Sequence, residues 1–293
     1  MAVAVAVLAL AAVVWLAVVI TGQGEDAAPG DEGGDPSDPG VSHVHGLGIN
    51  PADDSLVVAT HNGSFRISAS GDDAERIGDS FQDTMGFTVA GPDRFLGSGH
   101  PDVAGMQAGQ PGRLGLIEST DAGTTWTILS LGDDADFHAL AFAHGQVYGW
   151  DAGSGRFMVS ADRRNWETRS TLGLFGFAVD PADAGHIVAA TAEGLSESRD
   201  GGRTWTPADG PALVTLSWDA AAGLWGAEPG GTVWRRDEAG WERAGTLPGE
   251  PQAFLATADS LVAAVHDADG VTGIYRSTDD ASTWVLRYRD EQQ

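Results

Sequence analysis

The eight histidines are the residues best suited to chemistry in this 293-residue chain, which contains no cysteine. The lack of thiols excludes a cysteine nucleophile and a thiolate-bound metal, whereas neutral imidazole is the commonest metal ligand near neutral pH. His43 and His45 are two residues apart, so on a β-strand their side chains project from the same side. Zinc or copper would suit such imidazoles together with a carboxylate or a thioether. A metal site is therefore one hypothesis, and it requires a fold that gathers distant histidines.

A recurring motif, Ser-x-Asp-x-Gly-x-Thr-Trp, indicates what that fold is. Copies begin at Ser119, Ser160, Ser198 and, after a double interval, Ser277, which gives a period of about 40 residues. The Asp side chain can accept hydrogen bonds from N–H groups of its own hairpin turn, and Gly supplies a positive φ. The Trp would bury a large ring between neighbouring sheets. The residues with this structural role are Ser119, Asp121, Gly123, Trp126, Asp162, Trp166, Ser198, Asp200, Gly202, Trp205, Ser277, Asp279 and Trp284.

Around these motifs the chain divides into six units of short alternating strands. The units span 43–80, 81–130, 136–170, 174–209, 212–246 and 251–288. Four strands per unit at this period predict an all-β fold, a six-bladed β-propeller over residues 43–290. The second unit carries an insertion. Because the first and last units each contain four strands, the ring is expected to close by side-by-side packing without a shared strand.

In a propeller, the loops entering each first strand lie on the same face as the loops joining the second and third strands. The predicted metal ligands on that face are His43, His45, His61, His100 and His138, with Met85 and His266 as additional candidates. The candidate catalytic carboxylates on that face are Asp151, Glu193, Glu228 and Asp267. Glycoside hydrolysis needs an acid and a second carboxylate about 5–10 Å apart, which loops facing one channel could supply. The alternative for each of these residues is a solvated polar side chain at the channel mouth.

The segment before the propeller predicts export. Residues 1–21 include nineteen consecutive apolar residues, from Ala2 to Ile20. That length matches a transmembrane anchor, with a cleaved signal segment as the alternative. Residues 22–42 are rich in Gly, Pro and acidic residues and predict a disordered acidic linker. The propeller is therefore expected on the extracytoplasmic face of the cell membrane, or secreted if the segment is cleaved.

The charge balance narrows the expected partners. The chain has 42 acidic residues and 16 basic ones, which argues against nucleic acid or an anionic membrane surface as a partner. The expected partners are the membrane through the N-terminal segment, and a metal, a glycan or an envelope protein through the propeller. The protein is expected to be a monomer.

Several segments resemble a known family. These are His43-Val-His45-Gly-Leu, Ala59-Thr-His61-Asn-Gly, Met85-Gly-Phe87, Ser98-Gly-His100-Pro and Asp136-Phe-His138. With the repeated turns, they resemble bacterial secreted Asp-box (neuraminidase-repeat) propellers labelled glycosylhydrolase or exo-α-sialidase-like. The resemblance covers nearly everything after residue 40. It implies a fold related to sialidases, sortilin-type receptors and photosystem assembly factors, in which the boxes are structural and lie on the rim.

Sialic acid cleavage itself is not expected. True sialidases carry an Arg-Ile-Pro type motif ahead of the first box, whereas Phe65-Arg66-Ile67 lacks the proline. Three classes of function remain. The first is a non-catalytic propeller that binds a metal or another ligand on its His-rich face. The second is a glycoside hydrolase, and the third is an envelope assembly or protein-interaction propeller.

Overall fold

Residues 38–290 are described by a computed structural model. They form six antiparallel sheets of four strands, each sheet built from strands consecutive in the chain. This arrangement is the six-bladed all-β propeller that the repeats predict. The anchor predicted for residues 1–21 and most of the linker predicted for 22–42 lie outside the described residues.

The strands of the first three blades follow one another in chain order. In blade one they are β1 Val44–Ile49, β2 Leu56–Thr60, β3 Gly63–Ile67 and β4 Ala74–Arg76. In blade two they are β5 Asp83–Gly91, β6 Arg94–His100, β7 Leu116–Ser119 and β8 Thr127–Ser130. In blade three they are β9 Phe137–Ala143, β10 Gln146–Asp151, β11 Arg156–Ser160 and β12 Glu167–Thr171.

The last three blades repeat the same order. In blade four the strands are β13 Gly176–Val179, β14 Ile187–Thr191, β15 Gly194–Ser198 and β16 Thr206–Ala208. In blade five they are β17 Thr215–Asp219, β18 Gly223–Ala227, β19 Thr232–Asp237 and β20 Gly240–Thr246. In blade six they are β21 Glu250–Ala256, β22 Leu261–His266, β23 Thr272–Ser277 and β24 Val285–Arg289.

The insertion in blade two forms a short helix, α1 Val103–Gln107, between β6 and β7. It is the one α-helix within residues 38–290. In that range no helix has the length and apolar character needed to span a bilayer.

The core lies between neighbouring blades, and the second strands are its most buried elements. β2 and β14 are buried along their whole length, and β22 is buried up to its last residue. Such a strand is covered on both sheet faces, which is why its sequence reads as a continuous small or apolar run without polar alternation. We call the face where first strands begin and second strands end the top face, and the opposite one the bottom face.

The ring closes where β21 packs beside β1. The Val44 N–H donates to Gln252 Oε1 at 2.9 Å, and Arg287 Nε donates to Asp72 Oδ1 at 2.8 Å. Because no strand crosses this seam, the prediction of closure without a shared strand is confirmed. Val41, placed in the linker by sequence, is fully buried at the seam in the same cluster as Val44. The packed chain therefore begins before residue 43.

The repeated motif forms the same hydrogen-bonded turn in three copies, the last of which has Ala281 in place of Gly. In the first, Ser119 Oγ donates to Asp121 Oδ1 at 2.8 Å, and the Gly123 N–H donates to Ser119 Oγ at 2.8 Å. The N–H and the hydroxyl of Thr125 donate to the two oxygens of Asp121. Ser198 and Ser277 begin turns with the same bonds. The turn thus satisfies its own backbone donors, as the sequence predicts.

These turns should make the propeller sensitive to acid. The Thr204 N–H and then its hydroxyl hold the pKa of Asp200 well below the ordinary value, and the pKa values of Asp121 and Asp279 are lowered by equivalent Thr donors. Because the folded pKa is the lower one, the stabilisation is complete above the unfolded value of 3.8 and is lost as pH falls through the folded value. We therefore expect Tm to fall as pH is lowered from 5 to about 2. In the triple variant D121N/D200N/D279N, Tm measured by circular dichroism should fall less steeply with pH. Curves of Tm against pH that run parallel in the variant and the unmodified protein would contradict the prediction.

Candidate metal centre

Asp83 is the residue around which the predicted histidines gather. It is the first residue of β5 and pairs across the sheet with His100, the last residue of β6. His100 Nδ1 lies 3.4 Å from Asp83 Oδ2. Because β1 packs beside β5, blade one brings His45 Nε2 to 3.3 Å from Oδ1 and His61 Nδ1 to 3.2 Å from Oδ2. Three imidazoles from two blades thus surround one carboxylate.

A β-bulge near the start of the first strand recurs in four blades, and in blade one it falls on His45 of the site. The pairing skips one residue between Val44 and Gly46, and equivalent skips occur in β5, β9 and β21. A bulge leaves the extra residue unpaired and redirects its side chain. The bulged residues are His45, Met85, His138 and Gln252. Of these, His45, His138 and Gln252 line the central channel.

Glycines beside the bulges let neighbouring blades approach closely. A Cβ atom at Gly46 would lie 2.8 Å from Cβ of Phe87, and one at Gly86 would lie 2.5 Å from the carbonyl oxygen of Phe137. Gly99 has φ +142°, and a Cβ atom there would lie 1.9 Å from the carbonyl oxygen of Asp83. Only glycine fits this position without moving β5 and β6 apart. The contact between Asp83 and His100 therefore depends on Gly99.

The electrostatics of the cluster favour an ionised Asp83 and a neutral His43. Burial alone would raise the pKa of Asp83, but the imidazoles of His45, His61 and His100 outweigh it and hold the pKa below the ordinary value. Burial lowers the pKa of His43, and its neighbours His45, His266 and His61 lower it further against the opposing charge of Asp83. A carboxylate must be ionised to bind a transition metal, and the lowered pKa of Asp83 favours that state.

Two polar atoms in the cluster are buried without a hydrogen-bond partner. They are His45 Nε2 and Asp83 Oδ1, which face each other at 3.3 Å without hydrogen-bond geometry. Buried polar atoms are nearly always satisfied, so a water molecule or an ion between these two atoms would supply the partner that each lacks.

The donor geometry fits a metal ion. One donor atom each from His45, His61 and Asp83 lies within 4.8 Å of the other two. Within residues 38–290 this is the one group of three or more such side chains found. Tetrahedral zinc with ligands near 2.0–2.2 Å separates its donors by about 3.3 Å. His45 Nε2 and Asp83 Oδ1 are 3.3 Å apart, close to that edge, and His61 Nδ1 lies 3.2 Å from Oδ2, the other oxygen of Asp83.

The other predicted ligands lie around this group. His100 Nε2 is 3.6 Å from Asp136 Oδ2, and His138 Nε2 is 3.1 Å from the same oxygen. The His43 ring packs edge-on against His45 with centroids 4.8 Å apart. His266 ends β22 and is exposed, and Met85 is half-buried at its bulge. Asp83 and Asp136, which link the histidines, are missing from the ligands predicted by sequence. The sequence feature that could have identified them is their position at the start of a first strand: Asp83 begins β5, and Asp136 directly precedes β9.

Two of the four candidate catalytic carboxylates are engaged in structural contacts. Asp151 is buried and accepts from the Asp136 N–H at 3.0 Å and from Arg156 Nη2 at 2.8 Å. Asp267 accepts two N–H groups of its own turn and Arg289 Nη2 at 2.6 Å. Glu193 is exposed, with its Oε2 3.2 Å from the donor Thr191 Oγ1, and Glu228 is half-buried. Of the four candidate catalytic carboxylates, Glu193 and Glu228 therefore make the fewest structural contacts.

The role of Asp151 leads to a stability prediction. Replacing Asp151 by Ala should lower the free energy of unfolding by about 3 kcal/mol, because Arg156 and the Asp136 N–H lose their hydrogen-bond acceptor. Urea denaturation would measure the change. Glu193→Ala is the matched control and should change the free energy by less than about 0.5 kcal/mol. Equal midpoints for the two variants would contradict the structural role of Asp151.

A pocket of about 810 Å³ opens beside Asp83 on the top face. His61, Asp83 and His100 line one side of it, and residues of α1 line the other. The central channel, about 680 Å³, is lined by the first strands of all six blades. Neither lining includes an arginine in the part of the chain described. Neither cavity therefore offers a guanidinium from residues 38–290 that could bind the carboxylate of a substrate.

Comparison with known proteins identifies the architecture and no family. No protein-family model and no curated protein matches the sequence. Similar solved structures include a chain of the nidogen/laminin complex, with TM-score 0.61 and 12% identity over 79% of this chain and 91% of that chain. At identities this low, such likenesses establish the β-propeller fold alone.

Two further similar structures belong to proteins of different kinds. A GH74 enzyme from Niastella koreensis has TM-score 0.57 and 15% identity over 84% of this chain and 45% of its own. YCF48 bound to D1 peptide has TM-score 0.52 and 17% identity over 85% of this chain and 83% of its own. This chain thus spans less than half of the GH74 enzyme.

Proposed function

We propose that this propeller is a metal-binding module that holds one zinc or copper ion at its top face through His45, His61 and Asp83. The observation that carries the proposal is the convergence of these donor atoms within 4.8 Å of one another. Imidazole and carboxylate are ligands that both metals accept. The unsatisfied His45 Nε2 and Asp83 Oδ1 supply two of the three ligand atoms.

The three ligands differ in access. The side chains of His45 and Asp83 are 9% and 16% exposed, whereas that of His61 is 61% exposed. An ion would therefore enter past His61 and be anchored by the two buried ligands. Three protein ligands leave at least one coordination position for an exchangeable group, as in open zinc sites.

The surrounding residues would orient these ligands. His100 contacts the Oδ2 atom of Asp83, and Asp136 stands between His100 and His138. Outer residues of this kind fix the orientation of metal ligands and tune their affinity. His43 and His266 would add polar, metal-attracting groups at the rim of the site.

The proposed setting is extracytoplasmic, with the propeller tethered by residues 1–21 or released by cleavage there. The apolar run from Ala2 to Ile20 supports this placement. The three identical Ser-x-Asp turns support an Asp-box type of propeller.

Calorimetric titration of the metal-stripped, full-length protein with zinc and with copper(II) tests the proposal. We expect one ion bound per chain, and metal retained after gel filtration should show the same ratio. Titrations without binding heat for either metal, together with a metal-free eluate, would refute it.

A glycoside hydrolase is the second candidate function. It is supported by Glu193 and Glu228, two top-face carboxylates that make few structural contacts. It predicts turnover of aryl glycosides that is lost in Glu193→Gln or Glu228→Gln. An envelope assembly role, suggested by the likeness to YCF48, predicts instead that a partner protein co-purifies with the full-length chain.

A further inference from the structure

The pocket beside the proposed metal site has an exposed apolar wall. Phe81, Val103 and Met106 line it and are 42%, 65% and 57% exposed. Six large apolar side chains are exposed within residues 38–290, and these three are half of them. Apolar groups concentrated in one concave place are typical of a ligand site.

The wall is held in place by specific contacts. Asp102 Oδ1 accepts the Gly105 N–H at 2.7 Å and caps α1, while its Oδ2 accepts the Phe81 N–H at 2.9 Å. The Arg76 guanidinium lies 4.0 Å from the centroid of the Phe81 ring. The insertion is thus fastened to the linker between blades one and two, so the pocket is formed before a ligand arrives.

The opposite wall carries the proposed metal ligands. His61 and Asp83 line the pocket, whereas His45 lines the central channel behind them. An ion held by these three residues would lie at the pocket wall, with His45 on its buried side. Its exchangeable coordination position would therefore face the pocket.

The charges around the pocket restrict the kind of ligand. Asp79, Asp83 and Asp102 line it, and no Lys or Arg does among the described residues. These three carboxylates outnumber the two positive charges of a bound divalent ion, so a neutral donor atom is favoured over an anionic one. Neutral nitrogen is a donor that zinc and copper both accept. The volume of about 810 Å³ suits a small organic molecule.

From these features we infer that the pocket binds a small organic ligand with an apolar, ring-bearing body and one neutral nitrogen donor. The donor completes the coordination of the metal ion, and the body packs against Phe81, Val103 and Met106. This inference rests on the proposed metal site and names the class of molecule that the site receives.

The test compares 4-phenylimidazole with imidazole as probes of the zinc-loaded, full-length protein. Both probes offer the same kind of nitrogen donor, and only the first has an apolar body. We expect 4-phenylimidazole to bind at least about tenfold more tightly by calorimetry, because its ring is removed from water by the wall. Metal-stripped protein should bind both probes weakly.

A matched pair of variants locates the effect. The double variant V103T/M106Q makes the wall polar at nearly constant size and charge and should reduce the tenfold preference to about twofold or less. The control V285T/L286Q makes comparable apolar-to-polar exchanges on β24, where both side chains are exposed, and should keep the preference. Zinc affinity and the circular dichroism spectrum should be unchanged in both.

Each failure has its own signature. Zinc binding with no preference between the probes would overturn the inference and leave the metal site standing. Preference retained in V103T/M106Q would also overturn it, because the apolar body would then lie elsewhere. A protein that binds copper but no zinc is tested in its copper-loaded form, and one that binds neither metal overturns both proposals.

Discussion

Replacing Asp83 by Asn should weaken zinc binding by at least about 100-fold, since even residues outside the ligand set cost 10–100-fold when mutated. The exchange keeps the shape of the side chain and removes the only negative charge among the three proposed ligands. His61→Ala, which deletes the most exposed ligand, should have an effect of similar size. Calorimetric titration of each variant beside the unmodified protein measures the change.

The control for these variants is His144→Asn, a histidine change on the bottom face. His144 has φ +52°, a conformation that Asn tolerates, and its Nε2 lies 2.8 Å from the carbonyl oxygen of Asp180. Zinc affinity should stay within twofold of that of the unmodified protein. A twofold change corresponds to about 0.4 kcal/mol of binding free energy. Undiminished affinity in Asp83→Asn would show that any bound zinc lies elsewhere.

Replacing Phe137 by Ala should lower the free energy of unfolding by about 3–5 kcal/mol. Its ring is fully buried and stacks on Trp166 with centroids 4.8 Å apart. Its N–H donates to Ser98 Oγ of blade two at 3.0 Å, so Phe137 also joins two blades. The cavity left by the ring could not collapse without moving both of them.

Urea unfolding of Phe137→Ala measures this loss, and Phe175→Ala provides the comparison. Phe175 is 58% exposed, so its truncation should cost less than about 1 kcal/mol. A Phe137 variant as stable as the Phe175 variant would show that the blades do not depend on this ring.

The blades could be predicted from sequence because one turn chemistry marks the same point in blades two, four and six. Ser119, Ser198 and Ser277 begin turns whose hydrogen bonds close within eight residues, so no distant contact is needed to recognise them. The top face could be predicted for a related reason. Antiparallel pairing joins the start of a first strand to the end of a second, as Asp83 and His100 illustrate.

The detailed site could not be predicted, because it depends on register and on loop conformation. A bulge at His45 or His138 shifts a side chain without any motif of its own, and it appears only when both strands are paired. The roles of the candidate catalytic carboxylates could not be predicted for the same reason. Asp151 and Glu193 occupy similar loop positions in the sequence, and only the folded chain brings Arg156 onto the first of them.

The way the ring closes also determines how it would respond to tension. Gly40 and Asp290 meet at the seam, where a Cβ atom on the glycine would lie 2.9 Å from Asp290 Oδ1. A pull on the two ends of the propeller would therefore load blades one and six where they abut. Since no backbone ladder joins blades one and six there, the blades would separate by peeling rather than by shearing a continuous sheet. Resistance to mechanical opening then rests on Val41, Gln252 and Arg287 at that junction.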